Sequence, residues 1–267
     1  MRKGKWLPIL MAFVLVLGLT SWAAAGTLDE IAQRGELRIA CQTQGPPFSF
    51  VDKNRNRTGS SVEFCKIMAE EMGVKPVFLD YDWDGLIPAL LSKKADLLAA
   101  DMTPTLKRAM KISFTDPFIY TGSVVFAKSD GKYKSLGDCQ AAGENLKVAV
   151  LLGSTGETDA KKAFPKATLK SYKGGGPLLI DAVLKGHVDV GVNDDTAVVG
   201  QMADFPPGSV KIISEQISKS PLAFAVRYDS PDLREWVNLF FLYLRLDGRY
   251  DQNLKYWVKS LDWKKDH

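Results

Sequence analysis

Residues 99–118 read AADMTPTLKRAMKISFTDPF. The apolar run Leu97–Ala100 ends on a carboxylate, Asp101, and within eight residues the chain adds a hydroxyl at Thr103 and a guanidinium at Arg108. Such groups ion-pair and hydrogen-bond small polar molecules, and a buried acid can also transfer a proton. A related arrangement recurs further on. LIPALLSKKADLLAAD (86–101) aligns without gaps on LIDAVLKGHVDVGVND (179–194). Each segment has an apolar helix, a basic or glycine turn, an Asp (Asp96, Asp189), a short apolar strand and a final Asp (Asp101, Asp194). An acid at the carboxyl end of a strand sits where open α/β sheets bind ligands.

Other chemistries lack raw material. Two histidines, His187 and His267, three cysteines and no CxxC leave little from which to build a zinc or catalytic-histidine site. His187, between a helix and a strand, reads as a surface residue. GSTG at 153–156 is too short for a nucleotide loop, and the chain has no GxxxxGK. Cys41, Cys65 and Cys139 allow one disulfide and a free thiol, or three buried thiols.

The elements that must position these residues alternate along the chain. Strands are expected at Glu36–Cys41, Pro76–Asp80, Ala95–Ala100, Lys147–Leu151, Thr168–Tyr172 and Val188–Val192. Helices are expected at Ser61–Met72, Trp83–Leu91, Glu157–Ala163, Pro177–Lys185 and Leu233–Arg245. Alternation of this kind predicts parallel sheets covered by helices on both faces. The repeat divides them into two α/β lobes of related build, each of an ordinary domain size. Lobe I is expected over 26–120 plus 222–267 and lobe II over 121–221. Strand-like crossings at Ser123–Lys128 and Leu222–Arg227 would form a double hinge.

The first 25 residues stand apart. Arg2, Lys3 and Lys5 precede an apolar stretch from Trp6 to Thr20, and Ala23–Ala25 supplies small residues for cleavage before Gly26. This is the pattern of a secretory signal peptide, with an apolar run short of the ~20 residues of a spanning helix. No Cys follows closely to carry a lipid. Removing residues 1–25 from 267 leaves 242 and takes the formal net charge from +4 to +1. The sequence pI of 8.8 therefore owes part of its value to the leader, and no nucleic-acid partner is indicated.

GELRIACQTQGPPFSF (35–50), WDGLIPALLSKKADLLAADMTPTLKR (83–108), FTDPF (114–118), LLGSTGET (151–158), LKGHVDVGVND (184–194) and LDGRYDQNLKYW (246–257) together resemble a known family. It is that of the periplasmic amino-acid-binding proteins of ABC importers, the family-3 bacterial extracellular solute-binding proteins. The resemblance runs through essentially the whole chain after the leader, in family order. It implies the type II two-lobed periplasmic-binding-protein fold, closing on one small ligand. Its partners would be an amino acid and the permease subunits of an ABC importer, with no cofactor and no metal. The chain would be a monomer in the periplasm.

The site residues follow from the same resemblance. Arg108 would take the ligand α-carboxylate as a bidentate pair, which suits a planar guanidinium. Thr103 would hold the same carboxylate, and Thr105 would cap the short helix bearing Arg108. Ser154 and Thr155 belong to the opposing loop, whose backbone N–H groups complete the anion site. Asp194 would receive the α-ammonium, with Asp195 beside it a solvated cap, and Trp83 would form an aromatic wall.

Three positions depart from the family pattern. An Asp that often helps with the ligand amine falls at Gln42, and an aromatic that often sandwiches the ligand falls at Gly45. Asp101 stands where Ser, Gly or Ala is more usual. If Asp101 and Asp194 both face the cleft with Arg108, one guanidinium meets two carboxylates. The formal sum of −1 then favours a basic amino acid. Two other functions fit the same fold: a cyclohexadienyl or arogenate dehydratase-like enzyme, and a sensory ligand-binding module. The enzyme would need an acid three residues after Asp194, where this chain has Ala197. Asp101 would be the only substitute.

Overall fold

The structure is a computed structural model that describes residues 26–260 and 262–267; the expected leader, residues 1–25, lies outside them. Helix α1 (Thr27–Arg34) leads into strand β1 (Glu36–Cys41) and a small sheet of β2 (Gln44–Gly45), β3 (Ser49–Val51) and β4 (Arg57–Thr58). Next come α2 (Ser60–Glu71), β5 (Lys75–Asp80) and a 3-10 turn (Trp83–Gly85) that runs into α3 (Leu86–Leu91). They are followed by β6 (Leu97–Met102), α4 (Leu106–Ala109), β7 (Ser113–Phe114) and β8 (Ile119–Thr121). The chain then builds β9 (Ser123–Lys128), α5 (Leu136–Ala142), β10 (Lys147–Leu151), α6 (Thr155–Ala163) and β11 (Thr168–Tyr172). The elements α7 (Pro177–Leu184), β12 (Val190–Asp194), α8 (Asp195–Gln201) and β13 (Val210–Ile212) follow. It returns through β14 (Ser220–Val226), α9 (Pro231–Leu246), α10 (Arg249–Leu254) and α11 (Trp263–Asp266). No helix among the described residues is long and apolar enough to cross a membrane.

Two main sheets share one plan. The first has the order β5-β1-β6-β14-β7, with β8 beside β14, and the second β11-β10-β12-β9-β13. In each, three parallel strands continue into an antiparallel strand. Side chains alternate between two cores, as buried strands require. On β6, Leu97 and Ala99 enter the aromatic core under α2 and α9, while Leu98, Ala100 and Met102 pack toward α3. On β10, Val148 and Val150 point to one side and Ala149 and Leu151 to the other. Phe64, Phe118, Phe224 and Phe241 knit the first core with ring centroids 5.2–6.4 Å apart. These are ordinary aromatic packing distances.

The repeat has a structural cause at its first Asp. Asp96 donates its N–H to the Arg38 carbonyl at 2.8 Å and accepts the Arg38 N–H at 3.0 Å. Asp189 makes the same two bonds with Lys147, both at 2.9 Å. Each acid thus closes a ring against the neighbouring parallel strand. Fully buried, Asp96 also receives the Arg38 guanidinium and an Arg34 nitrogen.

The crossings between sheets are shorter than the sequence reading expects. Ser123–Lys128 and most of Leu222–Arg227 are strands inside the two sheets, β9 and β14, so they begin after the chain has already passed over. The passages are the short stretches around Gly122 and Lys219. There Ile217 donates to the Ser123 carbonyl at 2.8 Å, and Ser123 donates to Ser218 Oγ at 3.2 Å. Gly122 has no room for a side chain, because a Cβ would run into the Ser218 carbonyl. The cysteine alternatives resolve as three free, buried thiols.

Candidate functional site

The last turns of β6 and β12 bring their final acids into one cavity. Strand β6 reaches it through a bulge. Leu98 pairs with Ala225 and Met102 with Ala223, so Ala99, Ala100 and Asp101 stand opposite Phe224 alone. Asp101 absorbs the excess with a φ of 54°, in the left-handed region that Asp tolerates better than most residues. Holding a non-glycine residue there costs about 1–3 kcal/mol. The turn aims its carboxyl at the cavity, with Oδ1 accepting a hydrogen bond from Ser61 Oγ at 2.9 Å. Burial holds this carboxyl well above the ordinary carboxylate range; Ser61 opposes the shift and the charge of Asp194 adds to it.

Asp194 ends β12 and caps α8. Its Oδ1 accepts from Thr121 Oγ1 at 2.6 Å, Thr196 Oγ1 at 2.7 Å and Thr196 N at 3.2 Å. Burial pushes its pKa up to about 6, against those hydrogen bonds and with a smaller push from Asp195. Asp195 is no solvated cap, which corrects the sequence reading. It is the first residue of α8, takes Gln216 Nε2 at 2.7 Å, shares the Thr121 hydroxyl and donates its N–H to the Gly122 carbonyl at 2.9 Å. The acid facing the cavity is therefore tied directly to the passage between sheets.

Arg108 sits on the short helix α4, which Thr105 caps by accepting the Arg108 N–H at 3.2 Å. Its Nη1 donates to the Thr103 carbonyl at 2.8 Å and its Nη2 to the Gly153 carbonyl of the other lobe at 3.0 Å. The guanidinium carbon lies 5.3 Å from the Trp83 ring centre, a cation–π distance. Burial lowers its pKa to about 10, which leaves it charged at neutral pH. Arg108 thus bridges the two lobes beside the cavity, while Thr103, Trp83 and Gln42 form part of the wall itself. From the opposite side, Ser154 caps α6 by accepting the Glu157 N–H at 3.2 Å, and Ser154 and Thr155 line the cavity.

The cavity measures about 60 Å³. Of the residues singled out from the sequence, Gln42, Gly45, Trp83, Asp101, Thr103, Ser154, Thr155 and Asp194 line it, and Arg108 bridges beside it. Sequence reasoning missed Phe48, Asn193, Gln201 and Leu222 in its lining. For Gln201 a signal existed: positions 197 and 201 share one face of α8 at helical spacing, the face next to its cap Asp194. Ala197, on that face, presents a methyl group to the cavity. Trp83 lies in a 3-10 turn and packs against cores of both lobes, with its N–H to the Gly174 carbonyl at 3.4 Å. The described residues contain no group of three or more His, Cys, Asp or Glu placed to hold a metal ion.

Comparison with known proteins places the chain in a family. The sequence model of the bacterial extracellular solute-binding proteins, family 3, matches residues 37–260. A probable amino-acid ABC transporter-binding protein of Haemophilus influenzae is 29% identical over 249 residues, spanning 91% of this chain and 94% of that one. Among solved structures, an ancestral amino acid-binding protein described as a precursor of cyclohexadienyl dehydratase is 36% identical with a TM-score of 0.80. It covers 88% of this chain and 100% of its own. A putative ABC-transporter binding component of Wolinella succinogenes, complexed with lysine, is 31% identical with a TM-score of 0.77, covering 84% and 96%.

Proposed function

The chain belongs to the bacterial extracellular solute-binding proteins of family 3, and from that premise we propose that it captures a basic amino acid in the cleft between its lobes and delivers it to the permease of an ABC importer. The observation that carries the reading is the pair of carboxyl groups, Asp101 and Asp194, brought to one cavity from equivalent strands of two sheets. With both acids ionised, as a bound cation favours, two carboxylates and one guanidinium sum to −1. A zwitterion with a cationic side chain supplies the missing charge, and an acidic ligand would leave buried like charges facing one another.

In this reading Asp194 meets the α-ammonium with Oδ2, since its hydrogen bonds from the protein fall on Oδ1. Asp101 then meets the side-chain cation. Arg108, with Thr103 and the first N–H groups of α6, takes the α-carboxylate. Ligand contacts from both lobes favour the closed arrangement over an open one, which is how a hinge protein reports occupancy. The lobes are 26–121 plus 220–267 and 123–218, joined at the passages around Gly122 and Lys219. The protein works in the periplasm as a monomer after losing residues 1–25. It binds its ligand unchanged: Ala197 supplies no acid where the dehydratase reading needs one.

Calorimetric and thermal-shift screening with lysine, arginine, ornithine and histidine, alongside neutral and acidic amino acids, tests the proposal. Tight binding confined to basic ligands is the expected result. Binding of acidic ligands alone would overturn the charge argument, and turnover of prephenate or arogenate would overturn the transport reading.

A further inference from the structure

Helix α8 turns one face to the cavity through Ala197 and Gln201, while Gly200 lies against the other lobe. A Cβ placed on Gly200 would sit 2.5 Å from the Pro46 carbonyl oxygen, 2.7 Å from its carbon and 2.8 Å from Pro47 Cδ. Its three nearest neighbours thus all belong to the first lobe, in the loop that follows β2. They are backbone and ring atoms, so no rotamer change clears the space. The backbone of Gly200 is ordinary helix and needs no glycine, and glycine is among the poorest residues for a helix interior. Neither the fold of α8 nor its backbone conformation accounts for a glycine here. The opposing loop does.

We infer that Gly200 is the seat on which the lobes close: its bare backbone lets the helix capped by Asp194 land on the Pro46 carbonyl and brings Asp194 into the cavity that holds Asp101. Ordinary contact begins at 3.4 Å, so a methyl group at position 200 would hold the loop and helix apart by 0.9 Å more. The nearby crossings adapt more easily. Arg108 to Gly153 and Lys264 Nζ to the Val199 carbonyl, each 3.0 Å, are made by long side chains. The Pro46 contact, like the Trp83 N–H on the Gly174 carbonyl, is backbone on backbone, and it is the one that a side chain at position 200 would push apart.

This inference rests on the binding reading, and Gly200→Ala separates the two. Alanine is the better helix former, so the empty variant should keep its circular dichroism and melt at the same temperature or higher. With L-arginine as the probe, its affinity should fall at least tenfold, since a displacement near 1 Å between fixed groups carries a penalty of that order or larger. Ligand-induced compaction, followed by small-angle scattering, should shrink with it. Wild-type affinity and compaction in the variant would overturn the inference. So would an empty variant that melts far below wild type, because the glycine would then serve its own lobe. Should the wild type bind none of the amino acids screened, it is the functional reading that fails.

Discussion

Asp194 gives the cleft a definite pH response. With the lobes closed its pKa stands at about 6, against an ordinary value of 3.8, because burial disfavours the charged form. A ligand ammonium needs the ionised carboxylate, so protons compete with the ligand below that value. At pH 5 roughly nine-tenths of Asp194 is protonated, whereas at pH 7.5 nearly all of it is ionised. Affinity for L-arginine, whose guanidinium stays charged throughout, should therefore fall about tenfold from pH 7.5 to pH 5. Asp101 also holds its proton more tightly than usual, because burial disfavours its charge. Isothermal titration calorimetry at pH 5.0, 6.0 and 7.5 measures the slope, and Asp194→Asn should weaken binding at pH 7.5 and flatten the profile.

Stability of the empty protein should move the opposite way. The folded pKa lies above the unfolded one, so the native state takes up the proton first. The contribution from Asp194 is fully present below pH 3.8 and is lost as pH rises through 6. Its full size is about 3 kcal/mol, at roughly 1.36 kcal/mol for each tenfold difference in proton affinity between the folded and unfolded chain. Arginine affinity that is flat, or that rises toward pH 5, would refute the assignment of Asp194 to the ligand cation.

Other substitutions probe the remaining roles. Arg108→Ala should cost about 100-fold or more in affinity, the loss of a charge-assisted carboxylate pair, while circular dichroism stays that of the wild type. Tight residual binding would remove Arg108 from the carboxylate. Asp101→Asn should lower the preference for arginine over glutamine about tenfold, read by competition calorimetry; an unchanged ratio would mean that Asp101 does not meet the side-chain cation. Asp96→Ala should leave ligand affinity unchanged and cost about 2–4 kcal/mol in urea unfolding. The cost stays below that of a fully buried pair because Arg34 and Arg38, each with a side chain 28% exposed, can turn to solvent.

Local pattern carried the sheets and most of the cavity. Apolar runs bounded by turn residues predict β1 and β10 to the residue and place β6 and β12 two residues early, and the repeated Asp positions mark both the strand-bracing acids and the cavity acids. The division of labour between Asp96 and Asp101 was not legible, since both read as acids flanking one apolar run. Only the bonds across to β1 show that Asp96 is committed to Arg38, and only the register of β14 against β6 shows the bulge that turns Asp101 to the cavity. Trp83 reads as helix because its spacing continues into α3, yet contacts from the other lobe hold it in a 3-10 turn. The role of Asp195 and the seat at Gly200 arise between segments about 70 and 150 residues apart, beyond the reach of any periodicity.

The three thiols have a practical consequence. Cys65 points from α2 into the aromatic core, Cys41 ends β1, and Cys139 points from α5 into the core of the other lobe. All three are buried and unlinked, and burial raises each thiol pKa. An alkylating reagent can therefore reach them only through a structural opening. With two thiols in one half and a single thiol in the other, the natural chain carries a separate chemical clock for each lobe. Peptide mapping of the labelled protein would time their openings independently, and ligand that spans the cleft should slow both clocks together.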